Sequence, residues 1–301
     1  MADVALDVAL DFGPDRAAID HALESFCDQL LGGLPSPVAD AIRYSLTGEG
    51  KRLRGILFLR AYEAAGGTSD ASTLAAAIEV VHAYSLVHDD LPCMDDDDMR
   101  RGRPTVHRVY GVAAATAAGL AMVPLAALCA GEACRALGLA GEDTTAIVGD
   151  LMVASGAGGM IGGQLLDLEG EGSPLALDDL QQIHRAKTGA LIAAAATIGG
   201  RAAGATPAAL TALARYGEDI GLAFQIADDV LDVTSTTSQL GKTAGRDLEL
   251  RKSTYPALLG VAGAKARASD LVEQGCSALE EVGLLTPALS RIAHFTVERT
   301  S

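Results

Sequence analysis

Between Ser72 and about Leu91, apolar side chains recur at Leu74, Ile78, Val81 and Leu86. That spacing winds one face of a helix toward a core, and it predicts a helix over the stretch. A second helix carrying Ile220, Leu222, Phe224 and Ile226 is predicted to arrive from the core in the same way. Ile56, Leu57, Leu59 and Tyr62 predict a third, and the run from Ile183 to Ala190 begins another. Residues 1–48 read as a mobile start and then helices, broken at Pro14, Pro35 and Pro37, and residues 260–301 read as helical. Strand-favouring runs are scarce, while Ala, Leu, Glu and Arg at helical periodicity are everywhere, so the predicted class is all-α. The stretch Val109–Gly131 has no charged residue and is long enough to cross a bilayer. Its Ala and Gly content, Pro124 and lack of an aromatic belt predict a buried core helix and no membrane span.

What the first two helices lead into carries the chemistry. The Ser72 helix ends at Asp89, Asp90, Asp95, Asp96, Asp97 and Asp98, six carboxylates in ten residues, followed at once by Arg100, Arg101 and Arg103. Carboxylates crowded at the end of a buried helix repel each other and resist desolvation, so a cation has to offset them. Oxygen-only ligand sets suit magnesium, which bridges a few carboxylates to substrate phosphates. Asp89 and Asp95 would be splayed by an unbroken helix. Pro92 disfavours helical geometry at Leu91, however, and that should let Asp95 swing back beside Asp89. In the second cluster Asp228 and Asp232 stand four residues apart on one helix face, with Asp229 turned aside. Two acidic helix ends facing each other across a cavity would hold metal ions between them.

Charge and cysteine usage narrow the picture. The 301 residues carry 39 acids against 23 bases, a net charge of −16. That argues against nucleic acid or an anionic membrane as partner, and any anionic substrate must be drawn in locally. Five cysteines without a C-x-x-C pair or zinc spacing, and an acidic start without a basic flank, predict reduced thiols in a cytoplasmic protein. The length suits a single domain with a large core.

Bases that could receive an anion are concentrated in three places. The glycine-bracketed loop Gly48 to Gly55 holds Gly50, Lys51, Arg52 and Arg54 at the mouth of a helix, though a solvated basic turn would look the same. Arg100, Arg101, Arg103, His107 and Arg108 follow the first acid cluster; their guanidinium forks suit diphosphate oxygens, and some merely neutralise Asp95–Asp98. Lys242, Arg246, Arg251 and Lys252 follow the second. His82 lies two turns before Asp89, where a structural role is as natural as a binding one. Five glycines between 156 and 163 imply close helix packing, or polar groups at Gln164 and Asp167 turned to a cavity. Lys187 and Thr188 interrupt an apolar segment, and Gln225 shares a helix face with Asp228. Dinucleotide, P-loop, nucleophile-elbow and zinc signatures are missing.

Together these residues resemble the trans-isoprenyl diphosphate synthase family, and among its members the bacterial farnesyl-forming ones. Asp89, Asp90 and Asp95 match its first motif, DDxxxxD, and Asp228, Asp229 and Asp232 its second, DDxxD. Gly50-Lys51-Arg52-Leu53-Arg54, Gly163-Gln164 with Asp167, Lys187-Thr188-Gly189, Gln225, Gly241-Lys242 and Lys252-Ser253-Thr254-Tyr255-Pro256 are similar too, in order from about residue 48 to 260.

The resemblance implies an isoprenoid-synthase helical bundle around a large central cavity, one domain over 1–301, forming a homodimer. It implies three magnesium ions held by Asp89, Asp95 and Asp228, with Asp90, Asp229 and Asp232 orienting waters or neighbouring ligands. The allylic diphosphate is implied at Arg100, Lys187, Lys242 and Lys252, and isopentenyl diphosphate at Lys51, Arg54, His82 and Arg101. Thr188 and Gln225 would turn oxygen dipoles toward the allylic cation. Tyr84, five residues and about 7.5 Å before Asp89 at helical rise, would floor the tail pocket and stop elongation at farnesyl diphosphate. Ser85 is small enough to leave geranyl or geranylgeranyl products open. A class I terpene cyclase shares the metal logic but has no second diphosphate for Lys51–Arg54 to hold, and a silent regulatory subunit would not need both acid clusters. Four positions depart from the family pattern: Glu49 for glycine, Gly55 for proline, Arg251 before Lys252, and Leu120 for the acid that usually follows Gly119.

Overall fold

The computed structural model describes residues 12–170, 172–234 and 253–298. In chain order its elements are α1 Gly13–Leu30, α2 Ser36–Leu46, α3 Leu53–Ala64, α4 Ser72–Asp89, β1 Met99–Arg100, β2 Arg103–Pro104, α5 Val106–Tyr110, α6 Val112–Ala136, α7 Gly141–Ser155 and α8 Met160–Gly170. They continue with α9 Leu177–His184, a π-helical turn Arg185–Gly189, α10 Ala190–Ala202, α11 Pro207–Thr234, α12 Tyr255–Glu280 and α13 Pro287–Glu298. The class is all-α, with one two-stranded hairpin among the described residues. The chain divides into two compact units, Met1–Leu59 with Thr68–Met152, and Arg60–Gly67 with Val153–Ser301.

In the first unit α4 is the central helix. Leu74, Ala75, Ala76, Ala77, Ile78, Val80 and Val81 are all fully buried, so nearly every side of its first half is covered. Its run of alanines lets α6 and α1 pack closely against it. Gly55 sits where α3 meets α1 and α4: a Cβ there would lie 2.8 Å from Ile19 Cδ1 and 3.2 Å from Glu79 Cγ. Its N–H donates to the buried Glu79 carboxylate at 2.8 Å, a bond that proline could not make.

The apolar stretch expected as a buried core helix is α6, and it is buried along one face only. Ala115, Ala118, Met122, Ala126 and Ala130 turn inward, while Leu120 and Leu128 are 66% and 58% exposed. Val112–Ala136 and Gly141–Gly170 are long and apolar enough to cross a membrane by length and composition. The second stretch is interrupted by the turn between α7 and α8.

In the second unit α11 is the central helix, packed by α10, α12, α13 and the π-helical turn. Glycines bring it close to its neighbours: a Cβ at Gly217 would stand 2.4 Å from Ala193 Cα, and one at Gly221 2.7 Å from Gly189 Cα. The buried Tyr216 hydroxyl donates to the Leu289 carbonyl at 2.8 Å and ties α13 to this helix. α12 is interrupted at Gly260, whose φ of 70° takes the chain out of helical geometry.

Candidate active site

The first acid cluster closes on itself as Pro92 allows. Past the end of α4 the Asp95 N–H donates to the Asp89 carbonyl at 2.8 Å, and the Met94 and Asp96 N–H groups reach back to the Leu91 carbonyl. Asp96 takes a φ of 50°, a left-handed turn conformation. Asp90 is turned the other way and is 2% exposed. Arg100 Nε donates to its carboxylate at 2.6 Å, and the same guanidinium reaches Asp97 at 3.4 Å. Burial pushes the Asp90 carboxyl up, and the Arg100 guanidinium works against that rise. Arg108 pairs with Asp98 at 3.2 Å, so neutralising the acid run is what this base does.

Arg100 and Arg103 face each other on the short hairpin, and Arg101 and Gly102 make its two-residue turn with φ of 51° and 74°. Positive φ at both central residues is the turn whose twist suits a hairpin. Arg101 donates to the Glu49 carbonyl at 2.9 Å, binding the hairpin to the loop Gly48 to Arg52. Gly50 permits that contact, since a Cβ would stand 2.6 Å from the Arg101 guanidinium. Arg103 lies over the Tyr44 ring at 4.0 Å.

Between these parts is a hollow lined by Gly48, Glu49, Arg52, Glu79, His82, Asp90, Arg100, Arg101 and Arg103 among others. Arg52 is a fixture of its wall. It is 6% exposed, it bonds Asp20 at 2.7 Å, and it donates to the Leu46 and Gly48 carbonyls. His82 presents an enclosed Nδ1 with no hydrogen-bond partner. Burial, and then the charges of Arg54, Arg101, Arg100 and Arg52, hold its pKa well below 6.5, so the ring is neutral. Tyr84 and His88 lie on α4 with their rings edge to face. Lys51 and Arg54 flank Arg52 and Leu53, each half-buried.

The second unit gathers the remaining candidates around the π-helical turn. Lys187 Nζ meets the Asp167 carboxylate at 2.6 Å, and the Thr188 hydroxyl donates to Gln225 Oε1 at 2.9 Å. Gln225 stands one turn before Asp228 on α11. The close-packing reading of the glycine-rich stretch holds here. A Cβ at Gly163 would stand 2.2 Å from the Lys187 backbone nitrogen, and the next residue, Gln164, is buried with neither amide atom bonded. Asp229 is buried and accepts from the Tyr255 N–H at 3.0 Å, holding the start of α12. Thr254 caps that helix by accepting from the Ala257 N–H. Asp232 is 6% exposed and its Oδ2 has no hydrogen-bond partner. Lys242 and Lys252 lie outside the described residues, as do Gly241, Arg246 and Arg251.

Among the described residues no three His, Cys, Asp or Glu side chains stand close enough to hold a metal ion by themselves. The donors in each unit are nonetheless hard oxygens: in the first, Asp89 and Asp95 joined in one turn; in the second, Asp228 and, one turn on, the unsatisfied oxygen of Asp232. Magnesium fits either pair, because it takes one or two carboxylates and fills the rest of its shell with waters and phosphate oxygens.

Several contacts had no signature in the residue pattern. The π-helical turn, the Glu79 bond to Gly55 N–H and the His184–Tyr255 stack (5.7 Å between centroids) depend on partners far along the chain. Burial pushes the Tyr255 phenol up to about 12, and its hydroxyl is enclosed without a hydrogen-bond partner.

Residues 35–285 match the family model for polyprenyl synthetase. The chain is 45% identical over 298 residues to the farnesyl diphosphate synthase of Escherichia coli (strain K12), covering 96% of this chain and 99% of that protein. Crystal structures of an FPP/GFPP synthase from Zymomonas mobilis (TM-score 0.82, 32% identity, 97% of this chain and 99% of that one) and of a geranylgeranyl pyrophosphate synthetase from Pyrococcus horikoshii Ot3 (0.83, 29%, 97% and 98%) are similar to it. A match over most of the length, on a chain that carries both aspartate clusters, makes this protein a member of the polyprenyl synthetase family.

Proposed function

We propose that this chain is a magnesium-dependent trans-prenyltransferase that joins isopentenyl diphosphate head-to-tail to dimethylallyl and then geranyl diphosphate, releasing farnesyl diphosphate. The observation that carries the proposal is the arginine-lined hollow with a neutral His82 in its wall, next to the acidic turn. A cyclase ionises one diphosphate and has no use for a second anion site. The likeness to the Escherichia coli farnesyl diphosphate synthase supports the same substrates.

On this reading Gly50, Lys51, Arg54, His82 and Arg101 bind isopentenyl diphosphate, and Arg100, Lys187, Lys242 and Lys252 bind the allylic diphosphate. Asp89, Asp95 and Asp228 would hold three magnesium ions, which when bound would supply positive charge to stabilise the departing diphosphate. Asp90 fixes Arg100, and Asp229 fixes the start of α12. Asp232, whose Oδ2 has no hydrogen-bond partner, would orient a water or ligand beside Asp228. The Thr188 hydroxyl donates a hydrogen bond to Gln225 Oε1, which leaves the hydroxyl lone pairs for the allylic cation. A hydroxyl and an amide are too weakly basic to trap that cation. The new bond forms from the isopentenyl alkene, and the proton lost from the neighbouring carbon goes to the released diphosphate.

Tyr84 is the floor that ends growth at fifteen carbons. A geranylgeranyl product is the second reading, favoured by the small Ser85, whose hydroxyl is turned to the His82 carbonyl at 2.8 Å. The protein works as one catalytic domain in the cytoplasm, with its described cysteines unpaired. It pairs as a homodimer through the apolar stripe Leu120, Pro124 and Leu128 of α6. Incubation with isopentenyl diphosphate, each allylic diphosphate and magnesium, followed by chromatography of the dephosphorylated products, tests the reading. Farnesol is expected. Hydrocarbons formed without isopentenyl diphosphate would mark a cyclase, and no product a silent subunit.

A further inference from the structure

Tyr84 and His88 stand one turn apart on α4, and their rings meet edge to face with centroids 4.9 Å apart and planes at 70°. His88 is itself anchored on α6. Its Nε2–H donates to the Thr116 carbonyl at 3.1 Å. Gly119 makes room for it: a Cβ there would lie 2.1 Å from Nε2 and 2.3 Å from Cδ2 of that ring. Thr116 and Gly119 are three residues apart on α6, so one helix face offers both a carbonyl to hold the imidazole and a notch to admit it. Tyr84 is 9% exposed, and its ring rests on a neighbour whose own position is fixed at two points.

We infer that His88 is a positioning residue for product length: held between the Thr116 carbonyl and the notch at Gly119, it locks the Tyr84 ring in the place where it stops the growing chain. The inference rests on the reading of Tyr84 as the floor of the tail pocket. Without His88 the phenol loses the surface that sets its rotamer, and the ring swings out of the path of the tail. Gly119 is then required by the His88 ring, which separates it from the neighbouring Leu120, whose side chain points outward.

The test is the ratio of twenty-carbon to fifteen-carbon product made from isopentenyl and geranyl diphosphates by the full-length protein and four variants. Tyr84→Ala should make mainly products longer than fifteen carbons. His88→Ala should raise the ratio several-fold, and the double variant should match Tyr84→Ala alone. His88→Gln, whose amide can still donate to the Thr116 carbonyl, should keep most of the fifteen-carbon stop. A lengthened product from Tyr84→Ala with fifteen carbons only from His88→Ala overturns the lock and leaves the floor standing. An unchanged product from Tyr84→Ala overturns the floor, and the lock with it. Should His88→Ala fail to fold, Gly119→Ala pushes the same ring off its carbonyl from the other side. Longer product then supports the lock, and an unchanged ratio rejects it.

Discussion

A neutral histidine among four arginines is costly to protonate, and that cost is visible in stability. The His82 pKa in the folded chain lies well below its ordinary 6.5. The unfolded chain therefore takes up this proton first as pH falls. Any stability tied to the neutral ring is fully present above 6.5 and is lost as pH drops below it toward the folded value. Melting temperature measured from pH 8 to pH 5 should fall more steeply for the native chain than for His82→Asn, because asparagine binds no proton. Parallel curves would mean that the ring is not held neutral. The acids at this scale were legible as acids but not in their separate duties. Asp89 and Asp90 are neighbours of identical chemistry, yet one carbonyl closes the turn and the other carboxylate holds Arg100. Which acid faces which base depends on a hairpin that runs of hydrophobicity do not reveal, because its four strand residues bury no continuous face.

The elements that carry the acids were readable because both are long helices with apolar residues at helical spacing, α4 from Ser72 to Asp89 and α11 from Pro207 to Thr234. Asp95 returns to Asp89 as Pro92 predicts, because that turn is set by local backbone geometry alone. The π-helical turn was not readable, since the helices that pack closely on it, at Gly163 and Gly221, lie far from it along the chain. Lys187 and Thr188 stood out by residue type, and Gly163 packs directly against the backbone of Lys187. Gly163→Ala should therefore act on chemistry as well as fold. A Cβ 2.2 Å from the Lys187 nitrogen meets backbone, which cannot rotate aside. Destabilisation of about 1–3 kcal/mol is expected from the overpacking. At a temperature where the variant is folded, kcat should still fall at least tenfold as Lys187 and Thr188 shift. Wild-type turnover in a folded variant would show that the tight contact does not position them.

For the whole molecule, the proposed pairing and the proposed metal make separate demands. If copies associate through the exposed stripe of α6, Leu128→Asp should move the mass measured by light scattering from that of a dimer toward that of a monomer. An unchanged mass would place the interface elsewhere.

Magnesium makes the sharper demand, because the described residues never gather three ligating side chains in one place. A protein with a complete cage binds its metal alone; one with only scattered carboxylates needs the oxygens of the substrate to finish the shell. The net charge of −16 adds that bare diphosphate is repelled unless cations accompany it. Whatever binds only the folded chain stabilises it by RT ln(1 + [L]/Kd), and so raises its melting temperature. Magnesium alone and inorganic diphosphate alone should each shift melting by about a degree or less, and the two together by several degrees. A full shift from magnesium alone would show a preformed metal cage, and a full shift from diphosphate alone would show that the arginines hold the anion without any ion.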